Sequence, residues 1–141
     1  MICLVEGCEN VYRVLLAFSN SINSLKKAVD LMLIAEKLND KATTMELIIK
    51  NEPVGFASIY HNDCENKVAY LSRIAVLKEF RGNGYGKMLL DSAVSLARKS
   101  GMRTIKLEVD NDNVLAISFY KKQGFIIEFE KEASLLMMRN M

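Results

Sequence analysis

Arg81-Gly-Asn-Gly-Tyr-Gly-Lys87 gathers three of the chain's seven glycines into five positions, and what flanks the segment decides the fold. Before it runs Val68–Leu77, an apolar stretch of strand character. After it Leu89, Ala93 and Leu96 recur beside Leu90, Val94 and Ala97 at helical spacing, with Arg98 and Lys99 in the last turn and Gly101 just beyond. Cations at the carboxyl end and a following glycine are helix stop signals. The segment is therefore a strand-to-helix loop in which glycine lets backbone N–H groups approach an anion and the helix adds its positive end. A pyrophosphate suits such a loop, and so does a tight turn with no ligand. Two other phosphate loops are tested by spacing. A Walker A loop needs four residues between its first glycine and the Gly-Lys pair and a Ser or Thr after the lysine; only three residues separate Gly82 from Gly86, and Met88 follows Lys87. The dinucleotide fingerprint Gly-x-Gly-x-x-Gly fits poorly as well, because the third glycine comes one residue early and no βαβ unit opens there.

Upstream of the loop, Met45, Leu47 and Ile49 alternate against Thr44, Glu46 and Lys50, a turn falls at Asn51–Pro53, and a second run covers Val54–Tyr60. With the polar turn Asn62–Lys67 and the run into Leu77, this predicts an antiparallel meander. Between Ser24 and Leu38 the apolar residues Leu25, Ala28, Leu31, Met32, Ala35 and Leu38 predict an amphipathic helix. Within residues 1–20 Met1–Val5 is a candidate edge strand, and Val11–Phe18 reads equally as a short helix or a strand. Downstream, Ile105, Leu107 and Val109 alternate as a strand, and Asn111 or Asp112 can cap a helix over 113–123 that stops at Gly124. Phe125–Glu130 and Leu135–Arg139 finish as strands.

The whole-chain numbers set limits. With 141 residues, half of them hydrophobic and one proline, residues 1–141 are expected to form one domain, ordered almost end to end. Cys3, Cys8 and Cys64 form no Cys-x-x-Cys pair and His61 is the sole histidine, which argues against a disulfide framework and against a bound metal. Glu6 and Glu9 interrupt any signal-like apolar start, and no apolar run is long enough for a bilayer, so a cytoplasmic protein without membrane association is expected. A net charge of +2 is too small for a nucleic-acid binder. Lys78, Arg81 and Lys87 nevertheless bracket the glycine loop, which suits a small anionic ligand.

At this point two segments resemble the GNAT acyltransferase superfamily. Its CoA-binding motif, Arg/Gln-x-x-Gly-x-Gly/Ala, is matched by Arg81, Gly84 and Gly86. Its second signature is matched by Leu107-Glu108-Val109, Asn113, Ala116, Tyr120 and Gly124-Phe125. The resemblance covers roughly residues 44–139 and leaves 1–40 as a variable region on the acceptor side. It implies an α/β (α+β) GNAT fold: a mixed, mostly antiparallel sheet of six or seven strands flanked by about four helices, splayed between strands 68–77 and 104–110. It implies acetyl-CoA as co-substrate, no metal, and an amine acceptor, a small molecule or a protein amino group, attacking directly. The backbone of Ile74, Ala75 and Val76 would hold the pantetheine arm, with an N–H near Val76 meeting the oxyanion. Gly82, Asn83, Tyr85 and Lys87, within the loop, would join Arg81, Gly84 and Gly86 around the phosphates.

The resemblance also names candidates for the chemistry. An alkylammonium with a pKa near ~10.4 is neutral in about one molecule in a few thousand at pH 7, so a proton acceptor helps. Glu108 is the candidate base; it could equally be an exposed strand carboxylate or bind the acceptor by charge. Tyr120 is the candidate donor to the departing thiolate, though Val114, Ile117 and Tyr120 also share the spacing of a core face. Asn113 can cap its helix, bond CoA, or both. Tyr70 and Ser72, on the strand entering the cleft, could touch the acceptor but are read first as ordinary sheet residues, His61 as an exposed bystander, and Cys64 as a poor nucleophile for want of a basic partner. Competing functions are a CoA-binding module without turnover and an enzyme using another acyl group or a hydroxyl acceptor. The terminal strands would allow either a monomer or a homodimer.

Overall fold

The computed structural model describes residues 1–19 and 30–141. Its strands are β1 (Ile2–Val5), β2 (Thr43–Ile49), β3 (Glu52–Tyr60), β4 (Val68–Val76), β5 (Thr104–Asp110), β6 (Ile126–Glu130) and β7 (Ser134–Asn140). Among the described residues the α-helices are α1 (Cys8–Phe18), α2 (Leu31–Lys41), α3 (Tyr85–Lys99) and α4 (Val114–Lys122), with a 3₁₀ turn at Lys78–Phe80. The strands form one sheet in the order β1-β2-β3-β4-β5-β7-β6. The β4–β5 pair is parallel and every other pair is antiparallel, so the expected mixed, mostly antiparallel sheet is what forms. Among the described helices, none is long and apolar enough to cross a membrane.

Helices cover both faces of the sheet. Leu89, Leu90, Ala93, Val94 and Ala97 of α3 and Tyr120 of α4 pack with Ile105, Leu107, Val109 and Met137 of the sheet. On the other face Val11, Val14, Leu15 and Phe18 of α1 and Ala35 and Leu38 of α2 close over Phe56, whose ring lies 5.0 Å from that of Phe18. Glu46 also turns toward this side, buried, where the Arg13 guanidinium meets both its oxygens at 3.3–3.4 Å.

Several boundaries differ from the sequence reading, each for a local reason. The helix expected over Ser24–Leu38 is described from Leu31 and runs on to Lys41; the Ser24–Val29 part lies outside the described residues. Asp30 is not on its polar face but caps it, accepting hydrogen bonds from the amides of Met32 and Leu33. The β2–β3 turn is Lys50–Asn51, both at positive φ (50° and 66°), which matches the primed turns that suit hairpin twist. Pro53 stands inside β3 opposite Ile48, next to a register shift that tolerates its missing N–H. The α4 cap is Asn113, not Asn111 or Asp112.

Gly55 lets α3 lie close to the sheet. A Cβ there would stand 2.8 Å from Leu89 Cδ1 and 2.9 Å from the carbonyl oxygen of Ala75, and the second of these is backbone that cannot swing aside. Gly55→Ala should therefore cost about 1–3 kcal/mol as an overpacked core site. Thermal unfolding should show a midpoint lower by several degrees, and a parent-like midpoint would mean that α3 is free to shift outward.

Candidate active site

The site begins where two neighbouring strands part. β4 and β5 pair over Val68↔Thr104, Ala69↔Ile105 and Tyr70↔Lys106 and no further. β4 stays paired on its other side to β3 as far as Gly55↔Val76, and β5 to β7 as far as Asp110↔Ser134. Residues 71–76 and 107–110 therefore face each other across a gap, with the backbone groups of both inner edges outside the ladder. Polar backbone groups in such a position require a partner, and an extended ligand can supply it.

A β-bulge accompanies the parting. Ser58 pairs with Arg73 and Ile59 with Leu71, leaving Ser72 as the extra residue of β4. Bulges bend and twist a strand and re-aim its side chains. Before the bulge Ala69 and Leu71 point into the α3 side; after it Ile74 and Val76 do. Tyr70 is the last β4 residue paired with β5. Neither residue is thus quite the ordinary sheet position that simple alternation suggests.

The glycine loop lies at the end of β4. Gly82 and Gly84 adopt φ of 83° and 80°, conformations that L side chains rarely take, and a Cβ on either would meet nothing within 4 Å. Gly84 is the residue before α3 and its carbonyl accepts the first helical bond, from Met88 N–H at 3.1 Å. The amides of Tyr85, Gly86 and Lys87 therefore have no partner inside the helix, as in any first turn. The loop's own side chains hold its shape: Arg81 Nε donates to the Val76 carbonyl at 3.0 Å, and Asn83 Nδ2 to the Phe80 carbonyl at 3.0 Å. Lys87 Nζ is paired with Asp91 at 2.7 Å. The anion-attracting character of this loop thus resides in backbone and helix end more than in Arg81 or Lys87. A Cβ on Gly86 would touch the Phe119 ring at 3.6 Å, so the loop also abuts α4.

On α4, Asn113 Oδ1 accepts from Ala116 N–H at 3.2 Å and serves as the cap. Tyr120 is 7% exposed, with its ring edge-on to Phe119 and Phe125 at 5.3 and 5.6 Å. It shares a cluster with Ile74 and Val76 of β4 and with Leu107 and Val109 of β5, the inward faces of the two parting strands. Burial pushes its phenol up to about 12, so the proton stays on throughout the neutral range. An open depression lined by Val114, Ile117, Ser118, Lys121 and Lys122 lies along α4 itself, outside the gap between the strands.

Glu108 stands on the opposite face of β5 from Leu107 and Val109 and is exposed. Its Oε1 accepts from Lys131 Nζ at 2.6 Å; that hydrogen bond first, and the charge of Glu108 after it, raise the Lys131 ammonium above its usual range. Tyr70 is close by, its phenol raised by burial and then by the Glu108 carboxylate. Arg73, just past the bulge, is drawn down by burial and interacts with the phenols of Tyr60 and Tyr70. Lys131, Arg73 and Tyr60 belong to this neighbourhood without having been singled out from sequence. An arginine inside the apolar run Val68–Leu77 was the available signal; Lys131 gave none, because its contact with Glu108 spans 23 residues.

His61 is not the exposed bystander expected from its turn position. Its Nε2 lies 2.7 Å from Thr43 Oγ1 and its Nδ1 2.6 Å from Ser100 Oγ, tying β2 to the end of α3. Ser100 Oγ already donates to the Leu96 carbonyl, which makes it the acceptor from Nδ1–H and leaves Nε2 to accept from Thr43. Burial draws the imidazole below its usual range. Cys64 is exposed, as a turn residue should be.

Comparison with known proteins agrees with this geometry. The model of the acetyltransferase (GNAT) family matches residues 13–125. An uncharacterized N-acetyltransferase of Methanocaldococcus jannaschii is 38% identical over 81 residues, which are 55% of this chain and 36% of that relative; the chain thus spans little more than a third of its length. The crystal structure of Ard1 from Thermoplasma volcanium superposes with a TM-score of 0.78 at 26% identity, covering 99% of this chain and 97% of that one. That of a candidate streptothricin acetyltransferase from Bacillus anthracis, in complex with acetyl coenzyme A, gives 0.66 at 28% identity, covering 72% and 63%.

Two of the perturbed groups, His61 and Tyr120, give stability opposite pH dependences. The His61 contribution is present above the ordinary imidazole range near ~6.5 and is lost as pH falls, because the unfolded chain then binds the proton more readily. The Tyr120 contribution is present below the ordinary phenol value of 10 and is lost as pH rises toward about 12. That is on the order of 2–3 kcal/mol for a shift of this size. In denaturant unfolding across pH, His61→Gln should flatten the limb between about pH 7 and 5 and Tyr120→Phe the limb above pH 10. Unchanged limbs would show that neither group is burdened by its surroundings.

Proposed function

The chain belongs to the GNAT acetyltransferase family, and from that premise we propose that it transfers an acetyl group from acetyl-CoA to an amine. The observation that carries the reading is the parting of β4 and β5 after Tyr70 and Lys106, with the glycine loop and the α3 amino end at one end of the gap and Tyr120 packed beneath it. The fit to acetyl-CoA is chemical. An extended pantetheine arm carries amides that can pair with the open edge at Ile74, Ala75 and Val76. The pyrophosphate suits the loop Arg81–Lys87, where Gly82 and Gly84 leave open space on the side a Cβ would fill. Acetyl coenzyme A bound to the Bacillus anthracis relative supports the same assignment.

In the proposed reaction the acceptor binds on the Glu108 side of the sheet. Glu108, directly or through a water, takes a proton from the ammonium so that the amine can attack the thioester carbon. Backbone N–H groups beside the bulge meet the developing oxyanion without reorganisation. The carbon–sulfur bond breaks, the nitrogen gives its remaining extra proton to solvent, and the thiolate receives a hydrogen bond and finally a proton from Tyr120, whose phenolate is reprotonated from solvent. A phenol held near 12 is a weaker acid than a thiol in water. Transfer therefore relies on the thiolate being formed in the same apolar surroundings, where its own basicity rises. Asn113 acts first as the α4 cap. The cytoplasm is the proposed setting, and suits the free thiols of Cys3, Cys8 and Cys64. The chain would act as a monomer or as a homodimer through an open sheet edge.

Three variants test this. Gly84→Val should fold at some cost in stability, since a Cβ there meets nothing within 4 Å but the φ of 80° strains a side chain, and in the folded variant it should weaken CoA binding in calorimetry by obstructing the phosphates. Unchanged affinity would remove the loop from the site. Tyr120→Phe should keep its KM for acetyl-CoA and lose about 10²-fold in kcat when CoA release is followed with a thiol reagent. Glu108→Gln should shift the remaining activity to higher pH, where the amine is already neutral. CoA binding with no release for any amine would favour the non-catalytic module, and release with alcohols alone would favour O-acylation.

A further inference from the structure

The carboxylate assigned to the acceptor is already engaged. Lys131 Nζ sits 2.6 Å from Glu108 Oε1, and the side chains are half and a little over a third exposed, so the pair can be opened from solvent. Lys131 reaches it from the β6–β7 turn, while Glu108 is fixed in register between Val109↔Leu135 and Leu107↔Met137. The other charged groups around Glu108 are less able to replace Lys131. Lys106, two residues back on the same face, is held by Glu128 at 2.8 Å. Asp110 lies at the far end of the strand, and Arg73 interacts with the phenols of Tyr60 and Tyr70. An acceptor that offers its ammonium to Glu108 must therefore take its place beside the Lys131 ammonium, which holds Oε1, either sharing the carboxylate with it or displacing it. In both cases the lysine stands within a few ångströms of the acceptor with its counterion shared or lost. An acceptor that brings its own anionic group close to the amine restores both ion pairs, whereas one that brings a second cation restores neither and meets repulsion.

We propose that Lys131 determines acceptor specificity by this competition for Glu108, so that the site selects an amine carrying a carboxylate or similar anion near the reacting nitrogen and disfavours polycationic amines. The inference rests on the amine-acceptor reading above and adds the class of amine. Two sources share this chemistry: a free amino-acid-like molecule and a peptide amino terminus followed by an acidic residue. Exposed opposite charges interact weakly and like charges repel by similar amounts, so the swing between an anionic and a cationic neighbour is about tenfold. It should shrink as salt is added.

The test uses three probes of one length, 3-aminopropanoate, its amide and 1,3-diaminopropane, titrated calorimetrically into the CoA-saturated protein. Rates with acetyl-CoA are measured alongside. The peptides Ala-Asp and Ala-Lys, amidated at the carboxyl end, form a second arm. The expected order of affinity is anionic, neutral, cationic, spanning about tenfold. In Lys131→Met the ratio between the ends should collapse, and in Lys131→Arg it should persist. Comparing ratios between parent and variant cancels the different basicities of the amines. Preference confined to one arm identifies the source and supports the proposal in either case. An unchanged ratio in Lys131→Met, a parent that prefers the cationic probes, or no binding of any probe overturns it. Binding preference without CoA release would leave Lys131 standing and remove the catalytic reading. Release at rates indifferent to probe charge would do the reverse.

Discussion

The separation of β4 from β5 is the constraint on which the rest of this molecule depends. A parallel pair that held its ladder to the end would bury every backbone group and leave no gap for a ligand. Here the ladder stops at Tyr70↔Lys106, and the extra residue Ser72 stands just beyond that point, on the β3 side of the same strand. The bulge turns β4 while β3 continues to hold it, and β7 holds β5, so the gap is kept open by paired sheet on both sides. The edges are thus held from behind and open to each other outside the ladder, which is what a site needs if it is to recognise an extended chain through backbone groups.

Everything else is arranged around that opening. The end of β4 leads into a loop whose glycines can take left-handed conformations, and Arg81 pins the loop back to Val76. Gly55 lets α3 approach the sheet, which fixes where its amino end lies, and Gly86 sits against Phe119 of α4. Tyr120 then closes the underside with its phenol held protonated by burial. Glu108 points away from this apolar layer, onto the face where Lys131, Tyr70 and Arg73 gather. In the proposed reaction the two faces of β5 divide the work, with an apolar side beneath the thioester and a charged side for the acceptor.

Most of the strands and the helices that follow the loop were legible from periodicity, because half-buried strands and amphipathic helices write their burial into alternation. The glycine loop was legible because its left-handed positions, Gly82 and Gly84, need backbone freedom that glycine supplies. Features that depend on pairing across the sheet were not. The Ser72 bulge changes which residues face α3 without changing the residue pattern, so Tyr70 and Ser72 looked ordinary. His61 looked like a turn residue because its partners, Thr43 and Ser100, lie 18 and 39 residues away. Asp30 read as a polar-face residue, since capping and solvent exposure use the same residue type. The Glu108–Lys131 contact exists because the β6–β7 turn folds back beside β5, which no local signal announces.

The most direct measurement of the central claim is amide hydrogen exchange of the β4 backbone, read residue by residue with and without CoA. If the pantetheine arm pairs with the open edge of β4, amides within Arg73–Val76 that exchange freely in the ligand-free protein should become protected. Those of Ala69 and Leu71, before the bulge, should change little. CoA binding that protects the glycine loop alone and leaves Arg73–Val76 as they were would contradict the account, because the parted strands would then not be the ligand's seat.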